Sequence, residues 1–306
     1  MGTPPFARTI LEALLVRPDP VVGVVCQPDR PRGRGLAVEP PAVKTLGVER
    51  GLPVLQPQRV RDPEFTGAIR TLAPDLIVVA AYGRILPRDI LDLPPHGCIN
   101  VHASLLPRHR GAAPIAHAVL AGDPTTGVSI MVMTEEMDAG DVLLTRETPV
   151  APDDTTGTLT ARLAALGAEA LDAAIDGLQA GILRPTPQPA EGVTFAPRIE
   201  PAHARLDWAR PAVELERAVR AMQPAPSAFT TLGGKLLKVH SAALGPHVTT
   251  ADHGTVVAAG KDGIAVATGA GVLRLLEVQL EGRKRLGAAA FLAGHRVPPG
   301  TCLGDA

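Results

Sequence analysis

Leu76-Ile77-Val78-Val79-Ala80 is an unbroken run of five apolar residues, three of them β-branched. Alternating polar and apolar residues would mark a strand with one wet face, whereas an unbroken β-branched run marks a strand covered on both faces. Outward from it, Val21–Val25, Cys98–His102 and Val128–Met133 read the same way, and helical stretches intervene near Pro41–Arg50, Pro63–Leu72 and Pro114–Ala121. Strand and helix in alternation predict an α/β fold with a doubly wound, mostly parallel sheet, whose ligands bind beyond the carboxyl ends of the strands.

Residues 155–180 predict a long Ala/Leu-rich helix, opened by capping candidates Asp153, Asp154, Thr155 and Thr156 and stopped near Gly181. Leu183 to Ala204 holds five prolines and no sustained periodicity, which reads as a linker. A helix near Pro211–Met222 follows, and then short strands separated by glycine turns: Ala228–Leu232, Lys235–His240, Gly254–Ala258, Ile264–Thr268 and Val272–Val278. That pattern predicts a small β-barrel or sandwich, with an OB-like barrel as one candidate. The expected division is 1–182, a linker over 183–203, and 204–306.

With 306 residues, each domain can bury its own core. Cys26, Cys98 and Cys302 are scattered and odd in number, and no Cys/His cluster has zinc spacing, so a reducing compartment and no structural metal are expected. Neither a signal core nor a membrane-length apolar run is present, which predicts a soluble cytoplasmic protein. Net charge is −1, which argues against a general polyanion binder. The balance is uneven, however: residues 201–306 carry 12 Lys+Arg against 8 Asp+Glu. Such a split suits either an anionic partner for the C-terminal third or ordinary variation in solvated charge.

The stretch Gly97 to Gly111, G-C-I-N-V-H-A-S-L-L-P-R-H-R-G, carries the chemistry. On a strand, Asn100 and His102 share a face, roughly 6.6 Å apart. Both could be ordinary strand-end residues bonded to a loop. An acidic loop, Thr134 to Asp141, follows another apolar strand; it fits a solvated turn, or it brings a carboxylate to the same sheet edge. Asn, His and Asp in one cleft suit acyl or formyl transfer without a covalent intermediate: an amide for the oxyanion, an imidazole for the proton, and a carboxylate to support it. No G-x-S-x-G elbow competes, and no G-x-G-x-x-G follows a strand in the first domain. Arg30, Arg32 and Arg34 sit in a Pro/Gly-rich loop offset only by Asp29, well suited to phosphates. Lys235, Lys238 and the run Arg283-Lys284-Arg285 form either a solvated face or a phosphate-tracking surface. Only seven aromatic residues exist, so base stacking cannot be the main mode of RNA contact.

The run I-N-V-H-A-S-L-L-P-R-H-R-G-A-A-P-I, the later M-D-A-G-D, Q-P-D-R-P-R-G-R-G near the start and T-F-A-P-R-I in the linker together resemble the methionyl-tRNA formyltransferases, a branch of the folate-dependent formyltransferases. Similarity extends over nearly all of the chain. It implies Asn100, His102 and Asp138 as the catalytic trio, with Asp141 the weaker carboxylate. It also implies a folate site lined by Ser104, Leu105, Leu106 and Pro107, with Tyr82 and Leu86 beside it; those two fit loop-to-core packing equally well. The co-substrate implied is 10-formyltetrahydrofolate, with no metal. The partner implied is initiator methionyl-tRNA, contacted through Arg30, Arg32, Arg34, Lys235, Lys238, Arg283 and Lys284, with the enzyme a monomer away from any membrane. Ala103 departs from the family pattern, where Gly is usual.

Two rival readings stand beside this one. A formyltransferase acting on glycinamide ribonucleotide or an amino sugar nucleotide would share the Asn/His/Asp set, but the arginine loop and the extra β-rich domain count against it. A non-catalytic RNA-binding protein would have no use for that set. A further expectation concerns the N-terminus. A doubly wound sheet of this kind needs a strand before Gly2-Thr3, between Val21–Val25 and Leu76–Ala80, and Met1 already stands where that strand would end. The natural protein is therefore expected to begin upstream.

Overall fold

The computed structural model describes residues 1–32, 37–246 and 249–304. The chain divides into two compact units, one of residues 1–114, 125–149 and 160–197, the other of 115–124, 150–159 and 198–306.

In the first unit, α1 (Pro5–Leu14) starts at a proline, whose fixed φ suits a helix's first turn, and buries Phe6, Ala7, Ile10 and Leu11. Strand β1 (Val24–Val25) is followed by a hairpin of β2 (Arg30–Arg32) and β3 (Ala37–Glu39), then α2 (Ala42–Glu49) and β4 (Val54–Leu55), which pairs with β1 in parallel. Helix α3 (Pro63–Leu72) is capped by the Asp62 carboxylate, which accepts from Glu64 N at 3.1 Å, and ends on Ala73 in the left-handed region. Next come β5 (Ile77–Val79), α4 (Arg88–Leu91) and β6 (Cys98–His102), then α5 (Pro114–Ala121), which past Pro114 belongs to the second unit, β7 (Thr125–Val132), β8 (Val142–Pro149) and the long α6 (Thr156–Gln179), whose residues 156–159 also fall in the second unit.

The sheet order is β5-β6-β7-β8, with β5 and β6 parallel and β6-β7 and β7-β8 antiparallel. The mostly parallel sheet expected from the sequence is thus corrected to a mixed one. Its antiparallel half comes from a β7-β8 hairpin, which needs no crossover helix. Covered by neighbours on both sides, β6 is buried along its length except at Asn100. The core around it gathers Val25, Phe65, Ile69, Ile77, Val79, Tyr82, Leu86 and Ile90.

Among the described residues no ladder joins β1 to β5. Between them Met1 and Gly2 are already bonded to both: the terminal amine donates to Val78 O at 2.5 Å, Ala80 N donates to Met1 O at 2.9 Å, and Gly2 N donates to Val25 O at 2.9 Å. A cavity of about 420 Å³ adjoins them, its walls including Leu11, Val24, Ile69, Leu72 and Val78. Burial in these apolar walls pulls the terminal amine down to about 6 from its ordinary 8.0.

The second unit holds α7 (Ala212–Ala221) and an antiparallel sheet of β9 (Ala228–Leu232), β10 (Lys235–Leu244), β11 (Val256–Gly260), β12 (Gly263–Ala267) and β13 (Val272–Leu280). The short β14 (Leu286–Gly287) is added to β13, and α8 (Ala288–Gly294) follows. Its order, β11-β12-β13-β10-β9, brings no ladder between β11 and β9, so among the described residues the sheet is open and the expected OB-like closure is not formed. In place of a closing strand, the tail makes single bridges, Leu232 to Leu303 and Thr255 to Cys302. Inside, Trp208 donates from Nε1 to Thr230 Oγ1 at 3.1 Å, amid Leu215, Leu237, Val239, Leu273 and Phe291.

Candidate active site

Strand β6 ends in the residues expected from the sequence to carry the chemistry. Asn100 lies opposite Met131 of β7, and His102 opposite Ser129. The carboxylate comes from the loop between β7 and β8. Asp138 has φ 50°, a left-handed conformation that Asp tolerates better than most residues. Its Oδ1 accepts from Asn100 Nδ2 at 3.4 Å and stands 3.7 Å from His102 Nδ1; its Oδ2 accepts from the backbone N–H of Gly111 at 2.8 Å. The three side chains expected to act together are therefore in one place. The Asp138 side chain is 17% exposed and that of His102 5%, so the group is largely dry while a carboxylate edge remains within reach.

His102 Nε2 is 2.9 Å from the carbonyl oxygen of His109. A carbonyl can only accept, so Nε2 carries the hydrogen and the neutral ring keeps its lone pair on Nδ1, the nitrogen that faces Asp138. A proton arriving at Nδ1 makes an imidazolium beside a carboxylate. Asn100 places one amide hydrogen on Asp138, and its amide carries a second that an oxygen acceptor could take.

Ser104 is fully buried and donates to Arg108 O at 2.6 Å, while Ser129 Oγ donates to Ser104 O at 2.8 Å and accepts from Leu106 N at 3.1 Å. The Ser104–Pro107 turn is thus pinned to β7. Leu105, Leu106 and Pro107 are half-buried. Tyr82 and Leu86, by contrast, lie in the core at 2% and 1% exposure. Among the described residues the Tyr82 hydroxyl has no hydrogen-bond partner, and burial pushes it up to about 12. Asp141 points its backbone carbonyl at Val132 N at 2.8 Å, closing the base of the loop.

One residue that sequence reasoning passed over is Gln188. Its Nε2 donates to Asp138 O at 2.8 Å and Gly140 O at 2.7 Å, and its Oε1 accepts from Arg110 Nε at 3.1 Å and Nη2 at 2.8 Å. The stretch read as a linker belongs to the first unit as far as Pro197. It pairs with the site loops at Thr186–Val142 and at Phe195–Arg110.

Among the residues expected to meet RNA, Arg30 is exposed on the β2-β3 hairpin, Arg32 lies in β2, and Arg34 is outside the described residues. In the second unit the register sets Lys238 opposite Gln279 and bonds Glu281 N to Leu236 O. Lys235 and Lys238 therefore share one end of the sheet with exposed Arg283 and Lys284. Arg285 is paired with Glu277, which holds that carboxyl below its ordinary range. Among the described residues no group of three His, Cys, Asp or Glu could hold a metal ion, and no helix is long and apolar enough to cross a membrane.

Comparison with known proteins gives this geometry its context. Residues 1–175 match the model of the formyl transferase family, and residues 198–296 that of the formyl transferase C-terminal domain. Over 301 residues the chain is 54% identical to the methionyl-tRNA formyltransferase of Myxococcus xanthus, covering 98% of this chain and 96% of that protein. It is 50% identical to the methionyl-tRNA formyltransferase of Desulfotalea psychrophila, covering 99% and 94%. In fold it resembles HypX from Aquifex aeolicus, solved in complex with tetrahydrofolic acid, with a TM-score of 0.58 and 22% identity over 80% of this chain; the match spans 43% of the HypX chain. From the family match over more than half of its length and from relatives identical at half of their positions, the chain belongs to the formyl transferase family.

Proposed function

We propose that this chain transfers the formyl group of 10-formyltetrahydrofolate to the α-amino group of initiator methionyl-tRNA, in the cytoplasm and as a monomer. The observation that carries the chemistry is the assembly of Asn100, His102 and Asp138 at the end of β6, with His102 Nε2–H committed to the His109 carbonyl. The relatives' activity, by name on methionyl-tRNA, supports the acceptor.

In this mechanism the amine nitrogen attacks the formyl carbon, a C–N bond forms, and the carbonyl π electrons move to oxygen. The free hydrogen of Asn100 Nδ2 donates to that oxyanion. His102 Nδ1 takes the proton from the attacking amine, and the imidazolium is stabilised by the Asp138 carboxylate. As the oxyanion collapses, the bond to the folate nitrogen breaks, and the proton is handed to that nitrogen. Formyl-methionyl-tRNA and tetrahydrofolate result. Ser104, Leu105, Leu106 and Pro107 form the folate-facing turn, and Tyr82 and Leu86 belong to the same folate site. Arg30, Arg32, Arg34, Lys235, Lys238, Arg283 and Lys284 meet tRNA phosphates. Catalysis belongs to the N-terminal part of the chain, with residues 183–197 adding to its site loops, and RNA binding to residues 204–306, whose antiparallel sheet is open among the described residues. The test is to supply 10-formyltetrahydrofolate with charged initiator tRNA, glycinamide ribonucleotide or an amino sugar nucleotide in turn. Tetrahydrofolate release with the tRNA alone is expected; release only with one of the small acceptors overturns the reading.

A further inference from the structure

Asp138 is held at three points. Its carboxylate meets Asn100 on one side and the Gly111 N–H on the other, and its own backbone carbonyl is held by Gln188. The Gln188 amide spends its full donor capacity on two carbonyls of the Asp138 loop and its oxygen on two nitrogens of Arg110. Its orientation is dictated by these partners. Reversed, the amide would set its NH₂ against a guanidinium that only donates, and its oxygen against carbonyls that only accept. Gln188 is itself carried on a fixed segment. Thr186 exchanges both backbone bonds with Val142, at 2.8 and 2.9 Å, just past the Asp138 loop. Beyond Gln188, Arg110 N donates to Thr194 O at 2.9 Å, Ala196 N donates to Arg110 O at 2.7 Å, and His109 N donates to Thr194 Oγ1 at 2.9 Å. The segment thus ties down the loop that bears Asp138 as well as the loop that bears His109 O and Gly111 N, both of which orient the acid/base pair.

We propose that Gln188 is a positioning residue for formyl transfer, clamping the Asp138 loop to Arg110 so that the Asp138 carboxylate stays beside His102 Nδ1. A left-handed residue such as Asp138 keeps its conformation only when its surroundings enforce it. Gln188 supplies that enforcement at the carbonyl, while Gly111 supplies it at the carboxylate. This inference rests on the catalytic reading of Asp138.

The test is a double-mutant cycle of Gln188→Ala and Asp138→Ala in the full chain, with kcat, KM for donor and tRNA, and thermal melts measured for each variant. Gln188→Ala is expected to lower kcat about 10- to 100-fold, the range usual for a partner that orients a working group, with both KM values near wild type. In the Asp138→Ala background the same change should lower kcat less than about threefold, because the group it positions is gone. A solely structural role would cost the same factor in both backgrounds. Gln188→Glu adds a second readout. Its ionised carboxylate faces the Asp138 and Gly140 carbonyls with no hydrogen to give, so activity relative to wild type should rise as pH falls and the carboxyl regains its proton. Unchanged kcat in Gln188→Ala alongside a large loss in Asp138→Ala overturns the clamp; near-normal kcat in Asp138→Ala overturns the catalytic reading beneath it. Equal losses in both backgrounds, or a Gln188→Glu pH profile parallel to wild type, also overturn the clamp.

Discussion

Gly111→Ala isolates what the backbone does for Asp138. Gly111 has φ 126°, and a Cβ added there would lie 2.6 Å from the carbonyl oxygen of Ala196 and 3.1 Å from its carbon. That oxygen cannot retreat freely, because it accepts from Ala113 N at 3.1 Å. The substitution therefore carries about 1–3 kcal/mol of backbone strain and about 1–3 kcal/mol of overpacking. At roughly 2–4 °C per kcal/mol, the melting temperature should drop about 5–20 °C. Relief requires Gly111 N to move, which breaks its 2.8 Å bond to Asp138. Losing a hydrogen bond to a charged group, about 1.5–3 kcal/mol, corresponds to a fall in kcat of roughly 10- to 100-fold. Gly51→Ala is the control: φ is 68° but among the described residues, its chain neighbours aside, no atom lies within 4 Å of the new Cβ, so conformational strain of about 1–2 kcal/mol acts alone and kcat is unchanged. Paired melts and formyl-transfer kinetics on the two variants decide it. Equal melting temperatures, or full activity in Gly111→Ala, would refute the reasoning.

His102→Ala and Asn100→Ala should each lower turnover about two to four orders of magnitude while leaving the melt and folate binding largely intact; near-normal turnover in both would remove them from the chemistry. Replacing Arg30, Arg32 and Arg34 by Ala should weaken tRNA binding and flatten its dependence on salt, since fewer counterions are released. An unchanged KM for tRNA at moderate salt would exclude the hairpin as a contact. The terminal amine gives a pH test. Its folded pKa, about 6, lies below the ordinary 8.0, so between these values the unfolded chain binds more protons. Stability of the chain starting at Met1 should then rise from pH 6 to pH 8, by up to about 2–3 kcal/mol, a trend checked by melts across that range.

Elements whose local signal agrees with their environment were legible to the residue. Cys98–His102 is a covered strand with a covered strand's sequence, and Pro63–Leu72 carries its own cap and proline start. The strand Val142–Pro149 escaped notice because its Thr145-Arg146-Glu147-Thr148 stretch is polar. An edge strand exposed to water needs no apolar run, and its place is set by the β7 ladder. Helices Pro5–Leu14 and Ala288–Gly294 were hidden by flanking prolines and a basic, glycine-containing loop that read as irregular chain. In the site, Asn100 and His102 share a strand face and follow from period two, whereas choosing Asp138 over Asp141 needed the family pattern. Gln188 gave no local signal at all. It lies in a Thr-Pro-Gln-Pro sequence, and its partners are 50 and 78 residues away in the chain.

The tail of the second unit bears on how this protein should be handled. Residues 300–304 bond to both rims of the open sheet: Gly300 N and Leu303 N donate to Val256 O and Gly254 O, and Gly304 N donates to Thr231 O. A handful of residues thus covers one stretch of each edge, at 254–256 and at 231–232. Strip them away, by protease trimming or a short clone, and each molecule would offer two sticky borders to its neighbours. Unmasked borders of this kind pair between chains, so such material should cloud on concentration, long before any loss of the chemistry at His102.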